Sequence, residues 1–134
     1  MRSQYLSNSE AETIAAGRAI ASGLTPDAVV FLSGDLGAGK TVLTRGIAEG
    51  LGIDPHEIQS PTFTLIREHR GPHGILLHAD LYRLEPEQVG ALGLEELLFG
   101  PGIKVIEWAE RLPFDVPGAV RIEIRRVDSD DSTR

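Results

Sequence analysis

The chain has 134 residues, 41% hydrophobic and 25% charged, which suffices for one globular core and leaves no room for two. Its 13 basic and 20 acidic residues give a formal charge of −7, which disfavours sequence-independent nucleic-acid binding driven by phosphate neutralisation. Cysteine is absent, which excludes disulfides, thiolate zinc sites and cysteine nucleophiles, and no apolar run approaches a membrane span in length.

The first residues, Met1-Arg2-Ser3-Gln4-Tyr5, lack the apolar stretch of a secretory signal, so a cytoplasmic location is expected. Ser9-Glu10-Ala11-Glu12 has the form of a capping box and predicts a helix over 10–22, with Ala16, Ala19, Ile20 and Leu24 on one face. The small residues Ala15, Ala16, Gly17 and Ala19 predict close packing against a sheet. A turn at Thr25-Pro26-Asp27 leads into Ala28-Val29-Val30-Phe31-Leu32, a continuous apolar run of the kind buried on both faces of a parallel sheet. A second helix is predicted from near Lys40, with Leu43, Ile47, Ala48 and Leu51 facing inward and Gly52 at its end.

Strands are predicted over 63–67 and 74–78, joined as a hairpin at Arg70-Gly71-Pro72-His73. Short helices follow over 85–92 and 94–99, divided by Gly93, and Gly100-Pro101-Gly102 precedes a buried strand, Ile103-Lys104-Val105-Ile106. The last strand alternates, with Val120, Ile122 and Ile124 on one face and Arg121, Glu123 and Arg125 on the other. Arg121, Arg125 and Arg126 form the main basic cluster, which reads as a solvated strand face. The tail at 128–134 is polar and expected to be disordered.

Gly34-Asp35-Leu36-Gly37-Ala38-Gly39-Lys40-Thr41 satisfies every defined position of the Walker A pattern, between a buried strand and a helix. Such a loop needs glycines so that consecutive backbone amides can curl around an anion, and the following helix N-terminus favours phosphate. Lys40 is then expected at the β- and γ-phosphates, and the Thr41 hydroxyl on Mg²⁺. Residues 35–41 are the expected phosphate-binding set: Asp35, Leu36, Gly37, Ala38, Gly39, Lys40 and Thr41. ATP is the expected nucleotide, because the Asn-Lys-x-Asp segment that reads guanine is absent. The fold expected is α/β: a single P-loop NTPase-like domain over 1–127 with a mostly parallel central sheet, an antiparallel hairpin and flanking helices.

Mg²⁺ needs further oxygen ligands, and two apolar runs end in a carboxylate, at Asp80 and Glu107. In a parallel sheet both would emerge at the end that carries the phosphate loop. Asp80, Glu107 and Lys40 are therefore candidate catalytic residues, and Thr41, Asp80 and Glu107 candidate metal ligands. Ser60-Pro61-Thr62-Phe63 could carry a hydroxyl that senses the γ-phosphate, or could be a proline turn into a strand. Trp108 reads as core or interface, and His78 as a buried strand residue. Arg45 and Arg83 are candidate arginine fingers for which structural roles are equally consistent.

Gly34 to Thr41, Ser60-Pro61-Thr62-Phe63, His78-Ala79-Asp80-Leu81-Tyr82-Arg83, Leu92-Gly93-Leu94-Glu95-Glu96 and Ile106-Glu107-Trp108, in this order, resemble the bacterial TsaE (YjeE) ATPases. That family is required for threonylcarbamoyladenosine formation at position 37 of tRNAs, and the resemblance covers 9–127. It implies ATP and Mg²⁺ as ligands, Thr41 and Glu107 near the metal, Asp80 important for hydrolysis, and Trp108 and Thr62 near the nucleotide. It also implies that Ser9, Glu10 and Thr13 lie near the base. The partners it implies are TsaD and TsaB, with tRNA engaged only through the complex and no membrane. The transfer step would belong to TsaD. The chain ends soon after its last strand, and no contact from a longer C-terminal segment of the family is carried over.

The resulting expectation is a regulatory ATPase, slow alone and faster with partners. A small-molecule P-loop kinase is the alternative, although Arg83 is the only basic residue between Asp80 and Lys104, where a kinase would carry an arginine-rich lid. A nucleotide-dependent binding module without hydrolysis is the third.

Overall fold

The Ser9 hydroxyl opens the first helix, α1 (Glu10–Ser22), by accepting the Glu12 N–H at 3.1 Å. The Glu12 carboxylate reaches back to the N–H of Asn8 at 2.7 Å, so the reciprocal half of the capping box lands one residue ahead of the cap. The computed structural model describes residues 7–34, 37–58, 66–81, 87, 93–108, 112 and 116–125. Residues 63–65 of the expected strand over 63–67, the expected helix over 85–92 apart from Glu87, and the tail at 128–134 lie outside them.

After α1 come β1 (Val29–Gly34), α2 (Gly37–Gly50) and a short 3₁₀ turn (Pro55–Glu57). The chain continues through β2 (Ile66–Gly71), β3 (Gly74–Asp80), α3 (Leu94–Leu98), β4 (Ile103–Glu107) and β5 (Val120–Ile124). The five strands form one sheet in the order β2-β3-β4-β1-β5. β3, β4, β1 and β5 run parallel, and β2 pairs antiparallel with β3 through the hairpin at Pro72 and His73. The α/β architecture with a mostly parallel sheet is therefore as the sequence pattern predicts.

Strand residues divide alternately between two cores, as the two-residue period of a strand requires. Val30, Leu32, Leu76 and Val105 pack with Leu43 and Ile47 of α2 on one face. Val29, Phe31, Ala79 and Ile106 pack with Leu94 and Leu98 of α3 on the other. All of β4 is buried, so its apolar residues have no solvent face to alternate with. Val120 departs from the expected alternation and is exposed, while Ile122 and Ile124 pack at the margin of the core.

The small residues of α1 serve a helix crossing, where the sequence suggested a sheet contact. A Cβ on Gly17 would lie 2.5 Å from the Leu43 carbonyl and 2.8 Å from the Gly46 Cα, and one on Gly46 would run into the Ile14 carbonyl. Ala21 lies against Gly50 in the same way. The pairs Gly17–Gly46 and Ala21–Gly50 advance together along both helices, so α1 and α2 run in the same direction. The N-terminus of α1 consequently lies at the same end as the N-terminus of α2.

Lys104, 1% exposed, sits near the start of β4 and donates to the carbonyls of Asp27 at 3.0 Å and Gly100 at 2.6 Å. Burial pushes its pKa below the usual lysine value, against the opposing pull of Asp27. This second lysine ties the starts of β1 and β4 together, at the end of the sheet opposite α2's N-terminus.

Candidate nucleotide site

β1 ends at Gly34 with φ 147°, beside Ile124 of β5 in the paired register. A Cβ here would strike the Ile124 carbonyl, so glycine alone lets β1 leave the sheet at this point. Asp35 and Leu36 lie outside the described residues. The helix then starts at Gly37, three residues before the expected start near Lys40, and ends at Gly50 with Gly52 two residues beyond. Gly39, Lys40 and Thr41 consequently lie within the opening turns of α2. The first four N–H groups of an α-helix have no intrahelical acceptor, and here they belong to 37–40. Together with the positive end of the helix dipole they make this terminus suited to an anion.

Lys40 is 5% exposed and Thr41 8% exposed. The Lys40 carbonyl accepts the buried Thr44 hydroxyl at 2.9 Å, which holds the turn carrying the lysine. The Lys40 ammonium lies 5.3 Å from the centroid of the Trp108 ring. Trp108 directly follows β4 and has φ 62°, the one positive φ among described non-glycine residues. Its indole packs against the α3-side core, as the reading of core residue expects, and also reaches the site lysine.

The two candidate acidic residues are register neighbours at this end of the sheet. Asp80 at the end of β3 is the register partner of Glu107 at the end of β4, and Leu32 of β1 pairs with Glu107 on its other side. Both acidic strand ends therefore lie at the end of the sheet where β1 finishes and α2 begins. Glu107 is 3% exposed, and its Oε2 accepts a 2.7 Å hydrogen bond from His78 Nε2. Sequence reasoning left His78 as a core residue. The signal available was its position two residues before Asp80, which puts both on one face of β3.

Ser9 is engaged in capping α1, Glu10 is exposed, and the Thr13 hydroxyl contacts that of Ser7 at 2.6 Å. The parallel course of α1 and α2 puts these three residues at the end where α2 begins. Ser60, Pro61, Thr62, Phe63, Tyr82 and Arg83 lie outside the described residues. Arg45 donates through Nε to the Ile58 carbonyl at 3.0 Å, a tie between α2 and the 3₁₀ turn. In the basic cluster, Arg121 lies 5.1 Å over the Phe31 ring and Arg125 pairs with Glu123 at 3.0 Å, as a solvated strand face would; Arg126 lies outside the described residues.

Thr41, Asp80 and Glu107 offer only oxygen donors, which suits a hard cation such as Mg²⁺. Among the described residues no cluster of three or more His, Asp or Glu side chains could hold a metal alone. An ion here would draw its remaining ligands from phosphate and water, the usual mode for Mg²⁺. Among the described residues no helix is long and apolar enough to cross a membrane.

The family model described as "Threonylcarbamoyl adenosine biosynthesis protein TsaE" matches residues 7–134. The chain is 39% identical over 132 residues to the tRNA threonylcarbamoyladenosine biosynthesis protein TsaE of Rickettsia bellii, covering 97% of this chain and 91% of that one. It is 46% identical over 114 residues to the Nostoc protein of the same name, covering 82% and 69% of the two chains. The crystal structure of Bacillus subtilis YdiB superposes with a TM-score of 0.71 at 37% identity, covering 94% of this chain and 78% of that one. A shared fold, a family match over nearly the whole length and these identities converge: the chain belongs to the TsaE family of tRNA threonylcarbamoyladenosine biosynthesis proteins.

Proposed function

We propose that the protein is a cytoplasmic Mg²⁺-dependent ATPase that supports threonylcarbamoyladenosine formation at position 37 of tRNA, acting with TsaD and TsaB and meeting tRNA only through that complex. The observation that carries this reading is the arrangement at one end of the sheet. There the ends of β3 and β4 bring Asp80 and Glu107 side by side, next to β1 and the glycine-rich entry to α2.

The backbone N–H groups at 37–40 and the Lys40 ammonium would hold the phosphates and offset charge that develops on the transferred group. Thr41 would hold Mg²⁺ together with Asp80 or Glu107, and the ion when bound neutralises phosphate charge. Whichever carboxylate is not a metal ligand would orient the attacking water. With Arg45 engaged by the Ile58 carbonyl, the expected rate alone is low. A partner that completes the charge stabilisation would raise it.

Phosphate release from ATP tests this directly, with the protein alone and with TsaD and TsaB. Slow release that rises with both partners is expected. Turnover alone at about 1–100 per second, the range of kinases, would contradict the regulatory role. Transfer of phosphate to a metabolite would favour the kinase reading, and ATP binding without hydrolysis in any mixture would favour the binding module.

A further inference from the structure

His78 is fully buried, and of its two ring nitrogens only Nε2 has a partner, the Glu107 carboxylate at 2.7 Å. Nδ1 is buried with no hydrogen-bond partner. A histidine serving stability alone is expected to satisfy both nitrogens, because a buried unpaired polar atom carries its full desolvation cost. Here that cost is tolerated while the other nitrogen is aimed at a single carboxylate. The sheet explains how it reaches. His78 pairs in register with Val105, two residues before Glu107 on the same face, and Asp80 pairs with Glu107 itself. The imidazole thus occupies the position behind Asp80 and props the neighbouring carboxylate from within the sheet face that α2 covers.

Resting on the nucleotide-binding reading above, we infer that His78 is a positioning residue for Mg²⁺. Its Nε2–H holds Glu107 Oε2 and directs Oε1 toward the metal and its water shell. A carboxylate next to a metal is free to rotate unless one oxygen is fixed, and such outer partners commonly govern metal affinity. The bond is made before any ligand arrives, so the carboxylate is oriented in advance.

Three variants separate positioning from packing. His78→Leu removes the donor, His78→Asn keeps an amide too short to reach Glu107, and His78→Gln can place an amide N–H near the position of Nε2. ATP binding is titrated with Mg²⁺ for each protein and repeated in EDTA, alongside thermal melts. The Mg²⁺ concentration giving half-maximal enhancement should rise about 10- to 100-fold in His78→Leu and His78→Asn. It should stay within about threefold of wild type in His78→Gln, and metal-free ATP binding should be unchanged throughout. Wild-type Mg²⁺ dependence in the Leu or Asn variant overturns the inference. So does loss of metal-free binding in step with a falling melting temperature, or failure of His78→Gln to restore the response. Wild-type protein that binds no ATP overturns the nucleotide reading itself, and this inference with it.

Discussion

The Lys40 ammonium lies 5.3 Å above the Trp108 ring because Trp108 leaves β4 in a left-handed backbone conformation, with φ 62°. That conformation costs about 1–2 kcal/mol for a residue with a Cβ, and the cation–π contact returns a similar amount, about 0.5–2 kcal/mol. The ring thus lies against the ammonium of a buried lysine. Phosphate, a far stronger partner for an ammonium, would draw the lysine off the indole.

Trp108 is the only tryptophan, so protein indole emission reports the surroundings of this ring alone. MgATP should change its intensity or wavelength in a saturable way. Lys40→Met should alter the ligand-free emission and abolish the response. An unchanged spectrum on addition of MgATP to the wild type would show that the contact persists with nucleotide bound.

Gly17→Ala should destabilise the fold by about 1–3 kcal/mol, the usual cost of overpacking, because the added methyl meets the backbone of Leu43 and Gly46. Urea unfolding measures this. A neutral result would mean that α1 and α2 can separate without loss.

Ser9→Ala removes the hydroxyl that caps α1 and should cost about 1 kcal/mol by the same measurement. Ser9→Asn, another favoured cap, should restore most of it. A loss of ATP affinity larger than the loss of stability in Ser9→Ala would instead indicate direct contact with the nucleotide.

His69 contributes a pH dependence to stability. Burial, chiefly, with the charges of Arg67 and His78, holds its pKa below the usual histidine value, and Glu57 at 3.8 Å opposes them. The unfolded chain therefore takes up a proton at higher pH than the folded one. This contribution to stability is present above about pH 6.5 and is lost as pH falls toward the lowered folded value. His69→Phe should flatten the fall in melting temperature between neutral and mildly acidic pH. An equally steep fall in the variant would assign the effect to other groups.

Local pattern exposed much of the architecture in advance. The run at 28–32 marks a doubly buried strand, Gly34 marks where the chain leaves it, and carboxylates after apolar runs mark the strand ends at Asp80 and Glu107. The His78–Glu107 bond was not legible, because it joins residues 29 apart whose meeting depends on the β3–β4 register. The Gly17–Gly46 crossing was hidden similarly: small residues in α1 announce a close neighbour without saying whether it is helix or sheet. The left-handed turn at Trp108 contradicts local preference, since a bulky residue rarely adopts it. Such departures concentrate where a site demands them.

Calorimetric titration of MgATP into wild-type protein and Lys40→Ala tests nucleotide binding at the start of α2 most directly. Saturation at one site is expected for the wild type. Affinity should fall at least about tenfold in the variant, a difference of about 1.4 kcal/mol, with melting within about 6 °C of wild type. Equal affinity of the two proteins for MgATP, or a wild type that takes up none, would contradict it.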